Sequence, residues 1–321
     1  MTNAADTATT IDGVRPRPMR VGVYGTGRWA TEVHAPGIAA ASGMVLAGIA
    51  GRNDEQTAAL ARAMGVPAFA SLDEMLPEVD AISFAVPPYI QSELALAAIR
   101  AGRHVILEKP IATDLAAADA LVDAAEANSV SSVVFFTRLF LAPVRDLIAS
   151  AASRHLTSGD STFRSAVLLP GSRYDASSWR QDRFGALWDT GPHALAVMLH
   201  TLGPAIEICA SNPSPAAFEA ELRHAGGARS AIHINMRDAT VERVDDRFSV
   251  SGPAGNLAAG PFTYDRVSTF AHAAQSLLAP RSDYASIALG RDVVAIIEAA
   301  IDSINADGHA TPIAPARWRP L

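Results

Sequence analysis

The stretch Arg20-Val21-Gly22-Val23-Tyr24-Gly25-Thr26-Gly27-Arg28-Trp29-Ala30 decides the fold. An apolar strand runs straight into G-x-G-x-x-A, and an apolar-periodic helix follows. Gly25 and Gly27 permit a tight turn and close approach of a pyrophosphate, Ala30 lets the helix sit close to a sheet, and the helix N-terminus offers unpaired amides to an anion. The plainer reading is a glycine turn that only joins strand to helix. The strand before and helix after favour a dinucleotide loop built from Gly25, Thr26, Gly27, Arg28 and Trp29.

Outward from this loop, short apolar runs alternate with alanine-rich helical stretches. They predict strands over 20–24, 44–50, 66–69, 79–86, 104–107 and 130–136, and helices over 29–41, 54–64, 90–101 and 115–127. Repeated βαβ units of this kind make a doubly wound parallel sheet, an α/β Rossmann domain over 19–137. Residues 1–18 read as a loose polar tail. After a helix over 139–153 the texture changes to alternating strands over 161–169, 216–222, 229–236 and 247–251, with a hairpin turn at 225–227 and helices over 189–202, 267–278 and 284–304. An α+β domain over 138–321 with an open, mostly antiparallel sheet is expected.

Composition narrows the partners. Among 321 residues, 49% are hydrophobic and 18% charged, and the net charge of -7 comes without runs of like sign. Nucleic acid and anionic membrane are therefore not expected, and a small molecule is. Cys209 is the only cysteine, so no disulfide framework or thiolate metal site is available. A reducing, cytoplasmic location fits, and no signal or membrane segment is expected.

An NAD site usually places an acid at the end of the second strand to bond the ribose 2'-hydroxyl, but here Ala50-Gly51-Arg52-Asn53 stands. Arg52 suits a 2'-phosphate, with Arg28 as a second cation, so NADP is favoured and NAD remains possible. Asp54 is the competing 2'-hydroxyl acceptor; its alternative role is helix N-cap. Pro87 and Pro88 stiffen the rim of the cofactor cleft after the fourth strand.

The basic residues are 25 arginines and one lysine, Lys109. Arginine stays protonated, whereas a lysine amine is compact and tunable, so a site that needs such an amine cannot take arginine. Retention of one lysine by drift is the bland alternative. Lys109 follows the apolar run Val105-Ile106-Leu107, with Glu108 anchoring the strand end, where open α/β sheets bind ligands.

One segment stands out in the second half, Gly185-Ala186-Leu187-Trp188-Asp189-Thr190-Gly191-Pro192-His193. With a helix starting at Asp189, the acid and His193 lie one turn apart on one face, and the acid can orient the imidazole for proton exchange. Alone, the pattern favours a structural reading, with Asp189 as N-cap and His193 as a core residue.

Glu108-Lys109-Pro110, the glycine loop and this Gly-x-x-x-Asp-x-Gly-x-His motif together resemble the GFO/IDH/MocA oxidoreductases, the glucose-fructose oxidoreductase and inositol dehydrogenase group. The likeness runs from Arg20 to about residue 304. It implies a second-domain sheet used for homo-oligomerisation, as dimer or tetramer, and hydride transfer at a sugar or cyclitol carbon. It assigns Lys109, Asp189 and His193 as the catalytic set. Two positions depart from the pattern. Ala196 stands where the family frequently has an acid, and Gln91 where a histidine often follows the Pro-Pro loop.

The expected chemistry is hydride exchange between nicotinamide and a secondary alcohol or ketone, with His193 handling the hydroxyl proton and Lys109 stabilising charge on oxygen. No metal is expected. Trp179, Arg180, Arg138 and Tyr174 are the substrate-contact candidates, and His34, His200, His224, His233 and His272 read as structural or surface residues. A short-chain dehydrogenase needs Tyr-x-x-x-Lys, which Val105 at the fourth position before Lys109 excludes. A catalytically retired nucleotide sensor and a nicotinamide-assisted lyase or hydrolase are the remaining alternatives.

Overall fold

The computed structural model describes residues 17–172, 178–279 and 283–319. Most of the expected tail, and Tyr174, lie outside them.

Six parallel strands form the first sheet: β1 (Met19–Tyr24), β2 (Met44–Ala50), β3 (Ala68–Phe69), β4 (Ala81–Phe84), β5 (His104–Leu107) and β6 (Ser132–Val134), in the order β3-β2-β1-β4-β5-β6. The strand order reverses between β1 and β4, the crevice where doubly wound sheets take their ligands. Both sheet faces are covered, so Val21, Val23, Ile82, Phe84, Val105, Ile106 and Leu107 are all sealed from solvent. The predicted strands over 79–86 and 130–136 are shorter at both ends, with turns and loops on either side of Ala81–Phe84 and Ser132–Val134.

The helix after the glycine loop opens with a π-turn, Ala30–His34, before the regular helix Ala35–Ala40. Pro36 lacks the N–H that would bond back one turn, and the wider turn absorbs the mismatch.

The second sheet is mixed and mostly antiparallel. Its strands are β7 (Ser158–Arg164), β8 (Ala205–Ser214), β9 (Ala217–His224), β10 (Arg229–Asn235), β11 (Asp245–Gly252), β12 (Gly255–Ala259) and β13 (Thr311–Pro312), in the order β12-β11-β7-β10-β9-β8-β13. Only β7 and β10 pair in parallel. β8, β12 and β13 escape sequence reading: β8 carries Cys209-Ala210-Ser211-Asn212-Pro213, β12 is glycine- and alanine-rich, and β13 has two residues. One face packs on helices Gly191–Leu202 and Ile287–Asn305. The other carries Glu219, Glu221, Arg229, His233 and Arg247, all exposed.

Two late segments return to the first sheet. Helix Arg266–Gln275 packs against the glycine-loop helix, and Ile287–Asn305 lies on helix Leu115–Ala127 as well as on β8. No described helix is long and apolar enough to cross a membrane.

Candidate active site

The glycine loop is shaped for a close ligand. Gly25 sits at φ +134°, and a Cβ there would come within 2.5 Å of the Ala85 carbonyl oxygen, so only glycine serves. A Cβ on Gly27 would meet nothing within 4 Å, which leaves open space at the helix N-terminus. Thr26 packs against Gly51, so the loop touches the end of β2, where Arg52 follows in sequence. Arg52 is exposed, with no ion pair among the described residues. Arg28, the second expected cation, is paired with Glu32 at 2.9 Å. Asn53, rather than Asp54, caps the next helix by accepting from the Gln56 N–H at 2.9 Å. Its amide oxygen reaches the same position without a charge. Trp29 is 37% exposed, with the Arg266 guanidinium over its ring. Pro87 and Pro88 begin the helix Pro88–Arg100, where a missing N–H costs nothing. The loop, its open N-terminus and the unpaired arginine fit a dinucleotide.

Lys109 leaves the end of β5 and crosses to the second half. Its ammonium donates to the Asp189 carbonyl at 2.6 Å and to Asp189 Oδ1 at 3.0 Å. The turn behind it is clamped. Buried Gln91 accepts from the Glu108 N–H at 2.8 Å and donates to the Glu108 carbonyl at 2.7 Å. The Glu108 carboxylate shares a hydrogen bond with His34 at 3.2 Å, and His34 also bonds the Ser83 hydroxyl at 2.8 Å and stacks on Phe270. Gln91 thus has a job of its own where the motif led one to expect a histidine.

Asp189 overturns one expectation. It ends a short helix, Gly185–Asp189, and the next, Gly191–Leu202, starts after Thr190, so acid and histidine do not share one helix face. Its carboxylate serves Lys109 and Arg180, the latter donating from Nε at 2.8 Å. Gly185 makes this possible: a Cβ there would lie 2.1 Å from the Arg180 carbonyl, so its absence lets the two backbones meet. Burial opposes ionisation of Asp189, but Lys109 and Arg180 outweigh it and bring the carboxyl down to about 2.

His193 is buried, and its Nδ1 has no hydrogen-bond partner among the described residues. Burial first, then the charges of Arg138 and Lys109, push its pKa well below the usual histidine value. That shift favours the neutral imidazole, the form that can accept a proton. Arg138 follows β6 in the turn Thr137–Phe140 and donates from Nε to Asp246 at 2.7 Å. Burial opposes its charge, while Asp246, Tyr264 and Asp189 favour it.

Lys109, Asp189, Arg180, Arg138 and His193 thus gather in one place. Trp179 lies in helix Ser178–Gln181 with its side chain outside the described residues, and Tyr174 is outside them altogether. Sequence reading missed Asp246, Tyr264 and the clamp by Gln91 and His34. Asp246 left a signal: alternation on β11 puts it inward with Phe248 and Val250, an acid on an apolar face.

Residues 19–136 match the model of an oxidoreductase family with an NAD-binding Rossmann fold. Galactose 1-dehydrogenase from Pseudomonas fluorescens is 28% identical over 235 residues, covering 72% of this chain and 70% of that enzyme. UDP-N-acetylglucosamine 3-dehydrogenase from Acidithiobacillus ferrooxidans is 40% identical over 108 residues, about a third of each chain. Among solved structures, a myo-inositol dehydrogenase from Corynebacterium glutamicum superposes with a TM-score of 0.79 at 21% identity, covering 93% of this chain and 100% of that one. GenD2 from gentamicin A biosynthesis, in complex with NAD, gives 0.78 at 22%, covering 94% and 100%. These last two likenesses speak for the fold. Taken with the glycine loop and the sheet order, the matched family model identifies residues 19–136 as an NAD-binding Rossmann domain of the Gfo/Idh/MocA type.

Proposed function

We propose that the chain moves a hydride between NADP and a secondary alcohol or ketone of a sugar, cyclitol or similar polyol. The observation that carries this is the Lys109 bridge to Asp189, which brings a lysine at the carboxyl end of β5 to the segment bearing a neutral, buried His193. Bound nicotinamide supplies the hydride acceptor or donor. Gly25, Thr26, Gly27 and the helix start would hold its pyrophosphate, Arg52 the 2'-phosphate, and Pro87, Pro88 and Glu108 the rim of the cleft.

In the oxidation direction His193 takes the hydroxyl proton while the Lys109 ammonium steadies negative charge on the same oxygen. Asp189 keeps that ammonium fixed in place. In reduction the same two groups run in reverse, His193 returning the proton. An intact Lys109, Asp189 and His193 weigh against a retired nucleotide sensor. The mostly polar open face of the second sheet is the surface through which we expect copies of the chain to pair, checked by mass in solution from light scattering.

The test is nicotinamide fluorescence on titrating NADPH and NADH into the protein, followed by absorbance at the reduced-nicotinamide band with a panel of polyols and keto-sugars. Absence of nucleotide binding ends this reading.

A further inference from the structure

Arg138 has more hydrogen-bonding capacity than the protein uses. A guanidinium carries five N–H donors in a fixed fork. Here one of them, on Nε, goes to Asp246, and neither terminal nitrogen has an acceptor among the described residues. Neither is sealed in the interior without a partner. The side chain is only 12% exposed, so most of it is withdrawn from bulk water. Donors in such a place are costly to leave without acceptors.

The group is also held in position. Asp246 on β11 is paired directly with Phe163 on β7, and the guanidinium rests over the Phe163 ring while Asp246 grips its inner edge. Asp189, the neighbouring acid that could satisfy the outer edge, already serves Lys109 and Arg180. The fork stands close enough to His193 for its charge to act on the imidazole. An arginine used solely to tie two strands and a turn together would spend its paired terminal donors on that task.

We infer that Arg138 binds an anionic oxygen group, a carboxylate or a phosphoryl, on the substrate, presenting two parallel N–H donors beside Lys109 and His193. Planar two-point recognition of such groups is what arginine does better than lysine. The inference rests on the oxidoreductase reading and refines its substrate class from polyols in general to sugars that carry an acid or phosphate near the reacting carbon.

The test compares sets of hexoses, each as the neutral sugar, the uronate and the 6-phosphate, binding to protein preloaded with reduced nicotinamide dinucleotide and followed by calorimetry. One anionic form should bind more tightly than its neutral counterpart, about 10- to 100-fold for a lost pair of charged hydrogen bonds. Which anionic form wins separates a carboxylate from a phosphoryl site. In Arg138→Gln the ratio of anionic to neutral affinity should collapse towards one, and in Arg138→Lys, which keeps the charge without the fork, it should fall part of the way. If wild-type protein shows no anionic preference, or if the preference survives in Arg138→Gln, the assignment is wrong. Should Arg138→Gln fail to bind the dinucleotide, and so prove misfolded, Arg138→Lys decides on the same ratio. Preference for neutral sugars with normal turnover overturns this inference and leaves the oxidoreductase reading standing. Failure of wild-type protein to bind dinucleotide strikes at that reading instead.

Discussion

The Lys109 ammonium holds two oxygens of a single residue, the carbonyl and the carboxylate of Asp189, at 2.6 and 3.0 Å. A compact ammonium with three donors can make both bonds and still point one at a substrate. A guanidinium is too broad and too rigid for that. Lys109→Arg should therefore lower kcat about 100-fold or more, the scale of a lost oxyanion contact, while nucleotide affinity stays near normal. Near-normal turnover in that variant refutes the role given to the amine.

Under the proposed function His193 acts as the base. Its replacement by Asn should lower kcat about 10²- to 10⁴-fold with fluorescence titration of nucleotide unchanged. Because burial and the Arg138 and Lys109 charges depress its pKa, the neutral form persists through neutral pH. The acid limb of kcat/KM should accordingly fall well below the ordinary histidine range, and a limb centred at or above that range counts against this assignment.

Asp189 makes a pH-dependent contribution to stability. Its carboxyl lies near 2 in the folded protein against 3.8 ordinarily, so the folded state prefers the ionised form. The benefit is complete above the ordinary value and is lost as pH falls from there through about 2. Asp189→Asn should be less stable than wild type by roughly 2 kcal/mol at neutral pH, with the gap closing between about pH 4 and pH 2. Denaturant unfolding across that range measures it; a gap independent of pH contradicts the ion-pair account.

Gln91 is fully buried and holds both backbone polar groups of Glu108. Gln91→Ala leaves them unpaired in the interior, at a cost of about 1–3 kcal/mol. It should also loosen Lys109, so that kcat drops while nucleotide affinity is spared. Thermal unfolding alongside steady-state rates tests both halves of the claim, and an unchanged kcat would show that the clamp is structural only.

Arg52→Ala should reduce affinity for NADPH about 10- to 100-fold and leave NADH almost untouched. The Arg52 contribution should weaken with added salt, since the residue is exposed. A wild-type preference for NADH removes the ground for this assignment and makes Asp54 the ribose acceptor to examine.

The first sheet was readable because parallel strands buried on both faces appear as continuous apolar runs, and because glycine and proline punctuate their ends. The second was less so. β8 mixes inward Ile208 and Ala210 with Ser211, Asn212 and Pro213, and the regularity that betrays a strand is lost there. Within the site, Lys109, Asp189 and His193 could be named since each sits in a local motif. Their wiring could not. Lys109 lies 80 residues from Asp189, and their link depends on where two loops come to rest. Asp246 lies 108 residues from Arg138 and belongs to no motif.

The late helices have a mechanical consequence. Helix Arg266–Gln275 leans on the glycine-loop helix, Ile287–Asn305 spans both sheets, β13 rejoins the second sheet, and Arg317 then pairs with Asp123 and Glu126 on helix Leu115–Ala127 of the first half. A chain laced back and forth in this way has no single peptide about which its halves could swing. In the proposed reaction, nucleotide and sugar would then enter past the loops at the cleft rim, with Lys109 and Asp189 still joined beneath them.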